Sequence, residues 1–136
     1  MRAVLDVNVI VSALLSPSGT PARIVEAWQD GRFDILVSPL LLGELQRTLT
    51  YPKLMRRIAP ESTDRIIDWL ARFAILVDDP ATAPPVRSSD PDDDHLIALA
   101  AKERAVLVSG DDLLLSLRPG LPIHSPAEFL ALLTAE

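Results

Sequence analysis

The segment AVLDVNVIVSALL sets one charged side chain, Asp6, with Asn8 two places on, inside an otherwise apolar run. Further carboxylates gather at three later places: Glu44 in SPLLLGELQ, Asp92, Asp93 and Asp94 in DPDDDHLIALA, and Asp111 and Asp112 in VLVSGDDLL. Carboxylates brought together repel, and a pair about 4 Å apart costs roughly 1–4 kcal/mol in effective dielectrics of 80 to 20. A divalent cation that prefers oxygen ligands, Mg²⁺ or Mn²⁺, offsets that repulsion and keeps waters available for chemistry. Such centres hydrolyse phosphodiesters by activating water and stabilising an in-line transition state. Taken singly, most of these groups have plainer explanations. Asp92 to Asp94 suit a helix N-terminus through its dipole, with Asp90 as cap. Asp111 and Asp112 after Ser-Gly suit a turn, and Glu44 suits a helix surface. Asp6 differs, because no cap or turn signal surrounds it and the nearest arginine, Arg2, is badly set to neutralise it.

Whether the four places meet depends on the elements that carry them. Residues 3–5 read as a short buried strand ending at Asp6, after which the pattern turns helical. Thr20-Pro21 reads as an N-cap with proline at the first helical position, opening a helix that stops at Gly31, and 33–37 read as the second strand. Ser38-Pro39 repeats the start signal for a helix carrying Leu41, Leu45 and Leu49 at i,i+4 spacing, which Tyr51-Pro52 ends. Helical stretches over 54–58 and 66–73 follow, then a third strand at 74–77. Residues 78–91 hold four prolines and few apolar groups, which predicts a surface loop. Asp90-Pro91 starts the next helix, running over 96–104, and 105–108 form a fourth strand. A short strand near 122–124 precedes Ser125-Pro126-Ala127-Glu128, a capping-box pattern.

Strands alternating with helices predict an α/β fold, a single domain over 1–136 with a central parallel sheet of four to five strands flanked by helices. In such sheets the ligand crevice lies beyond the carboxyl ends of the strands, near the point where strand order reverses. Asp6 falls at that end of the first strand, and Asp111 and Asp112 just past that end of the fourth. Asp92 to Asp94 fall in the first turn of the helix before the fourth strand. Glu44 lies about one and a half turns into the helix after the second strand, three residues from Leu41 and so beside its apolar stripe.

Composition narrows the function. At 136 residues and 49% hydrophobic content the chain supports one substantial core. It has no cysteine, which excludes disulfides, thiolate nucleophiles and cysteine-ligated zinc. Asp6 and Asn8 interrupt the apolar start too early for a secretory h-region, and no later stretch reaches membrane-spanning length, so a cytoplasmic protein is expected. A net charge of -6 argues against a simple electrostatic nucleic-acid binder. Residues 47–72 reverse that average, with six basic residues against three acidic. Within them Arg47, Lys53, Arg56 and Arg57 are candidates for RNA or partner contact, arginine being suited to bidentate contact with phosphate or carboxylate. Trp28 and Trp69 sit among apolar neighbours at helical spacing, as core or dimer-contact residues do.

In order, spacing and strand context, the acidic motifs resemble those of PIN-domain ribonucleases over nearly the whole chain. That family opens on a hydrophobic strand followed by Asp-x-Asn, here VLDVNVIVSALL. Its second acid lies on the helix after strand two, matching Glu44. Its third sits in a D-x-x-I-A pattern, here Asp94-His95-Leu96-Ile97-Ala98. Its fourth follows a strand as T-x-D, here Ser109-Gly110-Asp111, with serine for the commoner threonine. The resemblance implies an endoribonuclease dependent on Mg²⁺ or Mn²⁺, in which Asp6, Glu44, Asp94 and Asp111 hold metal and position water. Asn8 and Ser109 would support them by hydrogen bonding, with Asp93 and Asp112 as stand-ins for their neighbours. It also implies a VapC-like toxin of a toxin-antitoxin pair, a homodimer whose partners are RNA and a cognate antitoxin protein.

Three competing classes remain distinguishable. A metal-binding or interaction module on the same fold would keep the carboxylates without catalysis. A receiver-like phosphoacceptor would want a lysine after a late strand, where this chain offers only Lys53 and Lys102. A flap nuclease of DNA would want an added DNA-binding region. His95 adjoins Asp94 and is a candidate base, but adjacent helix residues point about 100° apart and a metal-activated water needs no imidazole.

Overall fold

Short runs of Val, Ile, Leu and Ala bury readily as strands wherever turn or cap signals flank them, and five such runs pair into one sheet. The computed structural model describes residues 1–82, 84, 91–118 and 120–135, with the backbone alone at Pro91 and Asp92. In chain order come β1 (Arg2–Leu5), α1 (Val7–Leu15), α2 (Thr20–Gln29), β2 (Asp34–Val37), α3 (Pro39–Leu49), α4 (Pro52–Met55) and α5 (Pro60–Phe73). β3 (Ile75–Leu76), α6 (Pro91–Glu103), β4 (Val106–Val108), α7 (Asp112–Leu115), β5 (Ile123–His124) and α8 (Pro126–Thr134) complete the fold.

All pairings are parallel, in the order β3-β2-β1-β4-β5. The expected parallel sheet flanked by helices therefore forms, with five strands. The chain grows outward from β1 through β2 to β3, then returns to lay β4 on the other side of β1. Strand order thus reverses between β1 and β4, where a doubly wound sheet opens its crevice. The register there pairs Ala3 with Val106, Val4 with Leu107 and Leu5 with Val108, so both strands end level with each other. Ala3, Val4, Leu5, Leu107 and Val108 are buried, as strands covered on both faces must be.

Helix boundaries follow local chemistry. Ser38 caps α3 by accepting the Leu41 amide at 3.3 Å, and Ser125 and Glu128 form the reciprocal capping box of α8. α2 ends as expected at Gly31, whose φ of 77° suits glycine at a helix C-terminus. The start of α2 differs from expectation: Gly19 is the N-cap without a side-chain bond, and Thr20 and Pro21 are the first helical residues. α6 starts at Pro91, as the Asp90-Pro91 signal predicts, with the aspartates that follow in its first turn. Asp90, its expected cap, lies outside the described residues, as do Ala83 and residues 85–89 of the expected loop.

The core forms where α1 packs on α2 and α3, α2 on α8, and α6 on β1 and β4. Phe33 meets Phe129 edge to face at 5.0 Å, and Arg32 donates to the Leu133 carbonyl, which ties α8 to the start of β2. Trp28 is buried and Trp69 packs against the same core, the first of the two roles, core or dimer contact, expected of them. Leu107 occupies the middle of β4, between β1 and β5. Leu107→Ala is expected to destabilise the protein by about 2–5 kcal/mol through lost transfer energy and a residual cavity, read as a lower urea midpoint at unchanged slope.

Candidate active site

Asp6 is the first residue beyond β1 and the N-cap of α1. It follows that the sequence does carry a local signal here, contrary to expectation: Asp-x-Asn before an apolar helix is a cap, and Asp is among the preferred N-cap types. Its Oδ1 accepts the Asn8 amide at 3.2 Å, and its own amide donates to the Val108 carbonyl at 2.9 Å. The cap explains the aspartate's type but not its environment, since the residue is only 6% exposed. Arg2 is no counter-charge for it, because its guanidinium pairs with Glu103 at 3.2 Å.

Ser109, fully buried just past β4, donates its hydroxyl to Asp6 Oδ2 at 2.8 Å. Ser109 Oγ in turn accepts the Asp111 amide at 3.0 Å. Asp111 in turn caps α7 by accepting the Leu113 amide at 2.9 Å, so the expected turn at Asp111 and Asp112 is the start of a short helix. These bonds bring Asp6 and Asp111 together across the reversal between β1 and β4. Burial pushes the Asp6 carboxyl above its ordinary value, the bonds from Ser109 and Asn8 oppose that push, and the nearby Asp111 charge adds to it. Asp112 is exposed.

The remaining candidates lie on the flanking helices. Glu44 is half-buried on α3, and on α6 Asp93 is buried while Asp94 is half-buried. Among the described residues no three His, Asp or Glu side chains close into a metal-binding group. The contacts therefore join Asp6, Ser109 and Asp111, whereas Glu44 stands on α3 and Asp93 and Asp94 on α6. Asn8 supplies its backbone amide to Asp6, and its exposed side chain borders a cleft of about 310 Å³ that Ser12, Gly110 and Asp111 also line. A larger cleft of about 600 Å³ lies against Trp28, Phe33, Trp69 and Phe73, at the amino end of β2 and away from these carboxylates. Arg47, Lys53, Arg56 and Arg57 are exposed, beginning one turn past Glu44 and continuing beyond the end of α3.

His95 departs from the role considered for it. Its Nε2 lies 3.4 Å from Ser38 Oγ and 3.6 Å from Asp79 Oδ1, so the ring faces the start of α3. Asp79 was not a sequence candidate. It follows an edge strand in a proline-rich stretch, and no local pattern marks it.

A parallel sheet with buried and partly buried carboxylates at its switch point defines an α/β domain with an acidic site. Residues 2–112 match the PIN domain family, and the chain belongs to that family, whose members are generally nucleases. An uncharacterized protein of Methanocaldococcus jannaschii is 32% identical over 142 residues, covering 96% of this chain and 90% of that protein. Among solved structures, VapBC2 from Rickettsia felis bound to a DNA fragment from its promoter aligns with a TM-score of 0.64 at 19% identity, over 92% of this chain and 98% of that one. PAE2754 from Pyrobaculum aerophilum aligns with a TM-score of 0.67 at 19% identity, over 100% of this chain and 91% of that one. At that identity the likeness to the two structures is one of fold.

The raised Asp6 carboxyl has a thermodynamic consequence. The folded protein holds the Asp6 proton more tightly than the unfolded chain, so this group favours folding below its ordinary value of 3.8. That contribution is lost as pH rises through the raised value. Asp6→Asn keeps a good cap and removes the buried charge. In metal-free buffer the variant is expected to melt above the wild type at pH 7, with the gap closing as pH falls toward 4, read by melting curves across pH.

Proposed function

We propose that this protein is an endoribonuclease dependent on Mg²⁺ or Mn²⁺ that cleaves single-stranded RNA as the toxin of a toxin-antitoxin pair. The observation that carries the reading is the buried Asp6 carboxylate beside Ser109 and Asp111 at the sheet's switch point. The donors there are all oxygens, and a buried carboxylate disfavoured in its charged form suits a hard divalent cation. In this reading Asp6, Glu44, Asp94 and Asp111 hold the ion. Asp93, more buried than Asp94, and Asp112 are their stand-ins. When bound, the ion supplies water activation and charge neutralisation.

The protein's own groups then have definable tasks. Ser109 fixes the orientation of Asp6 Oδ2, and the cap of α1 fixes Oδ1. The α7 cap holds Asp111 beside them. The exposed Asn8 side chain borders the open cleft, where an amide can donate to a phosphate oxygen. Arg47, Lys53, Arg56 and Arg57 provide an electrostatic track for RNA or an acidic face of an antitoxin. A second copy would cover the apolar edge at Phe73, Ile75 and Leu76, all exposed. The VapBC2 likeness supports an antitoxin as protein partner. Among the described residues no helix is long and apolar enough to cross a membrane, in keeping with a cytoplasmic role.

Asp6→Asn is expected to lower Mn²⁺-dependent cleavage of a labelled single-stranded RNA by at least about 100-fold, of the order seen when an electrostatic catalytic group is lost. Retained cleavage would sink the assignment. For the basic segment, Arg56→Ala with Arg57→Ala is expected to reduce the salt slope of RNA binding by about 2, one per lost phosphate contact. An unchanged slope in a filter-binding titration reduces both residues to ordinary surface. Toxicity on expression, relieved by a co-expressed small protein from the neighbouring reading frame, distinguishes a toxin from a housekeeping nuclease.

A further inference from the structure

We propose that His95 is a positioning residue of the carboxylate site, fastening the start of α6 to the start of α3 through Ser38 and Asp79. The proposal rests on the metal-dependent reading above. Glu44 is carried by α3 and Asp93 and Asp94 by α6, two helices that reach the site from different strands. Their separation is therefore not set by either helix alone.

The node that joins them is compact. Ser38 is fully buried, and its hydroxyl oxygen accepts the Leu41 amide at 3.3 Å. A serine oxygen has a second lone pair, and His95 Nε2 stands 3.4 Å from it. With the proton on Nε2 the ring donates there. Asp79 completes the junction: both its oxygens lie 3.3 Å from the Leu40 amide, and Oδ1 lies 3.6 Å from His95 Nε2. The latter distance is too long for a directional hydrogen bond, so Asp79 acts there through its charge, and Ser38 through direction. Two of the amides that a helix start leaves open are thus satisfied by groups that also hold α6.

A second tie reinforces the first. Lys102 Nζ, two turns further along α6, donates to the Asp78 carbonyl at 2.7 Å. Residues Asp78 and Asp79 are consequently held against α6 at two points. With the imidazole engaged at Ser38, the adjacent Asp94 projects about 100° around the helix from it. Fixing one residue fixes the other's direction. Groups that orient ligands in this way commonly change metal affinity by about 10–100-fold when lost.

The test compares His95→Leu, His95→Gln, Asp79→Asn and Asp6→Asn in the full chain, with Mn²⁺ affinity from calorimetry, melting temperature, and amide exchange of the metal-free proteins. His95→Leu is expected to weaken Mn²⁺ binding about 10-fold and to speed exchange in the first turns of α6, with kcat for RNA falling while KM holds. His95→Gln, whose amide can reach Ser38 Oγ, restores most of the affinity, and Asp79→Asn moves it in the same direction as His95→Leu by less. Unchanged affinity in His95→Leu while Asp6→Asn is impaired overturns the positioning role alone, as does a His95→Gln variant no better than His95→Leu. Unchanged affinity in Asp6→Asn overturns the metal-site reading beneath it, whereas exchange in α6 of the metal-free variants still reports on the tie itself.

Discussion

A carboxylate held out of water at the junction of two parallel strands is the constraint around which this fold is arranged. Asp6 is oriented from three sides, by the Asn8 amide, the Ser109 hydroxyl and its own bond to Val108. The bonds to Ser109 and Val108 depend on the register that sets Leu5 opposite Val108. A slip of one residue between β1 and β4 would turn alternate side chains to the other face, and Ser109 would no longer meet Asp6. The strand cores Ala3 to Leu5 and Leu107 to Val108 hold that register through burial, so apolar packing and the acidic site are one design.

The bonds that orient Asp6 do not neutralise it. Hydrogen bonds from an amide and a hydroxyl favour the ionised form, but desolvation outweighs them and the carboxyl is pushed upward. A protein that needed only a cap for α1 would expose the aspartate to water, as caps at helix starts usually are. Burying it beside Asp111 stores an electrostatic demand that a cation can meet. The contrast with Glu128 is instructive, since that carboxylate caps α8 with an arginine partner at its exposed surface and its titration moves the opposite way.

The flanking helices present a different problem. Backbone pairing holds β1 and β4 level, yet nothing in the sheet dictates how far α3 stands from α6. Ser38 and Asp79 cap the start of α3 while His95 reaches them from α6, which gives two independently connected helices a shared anchor. Family membership follows from sequence similarity over residues 2–112, whereas the placement of α6 against α3 is a property of the folded chain.

Much of this protein was legible in its residues. The alternation of strands and helices, the caps Ser38 and Ser125, the stop at Gly31 and the strand-end position of Asp6 all arise from interactions within a few residues, which local sequence determines directly. The Asp6 cap was equally local but hidden, because an apolar run disguised the cap pattern. What the sequence could not decide was which carboxylates meet and how deeply each is buried. Asp6 and Ser109 are 103 positions apart, and Ser38 and His95 are 57 apart, so their contacts exist only once strands pair and helices dock. Asp79, in a stretch with no periodic pattern, acquires a role solely through that docking. Chain chemistry determined the elements and the kinds of groups they carry; tertiary structure decided their encounters, because burial and distance belong to the packed whole.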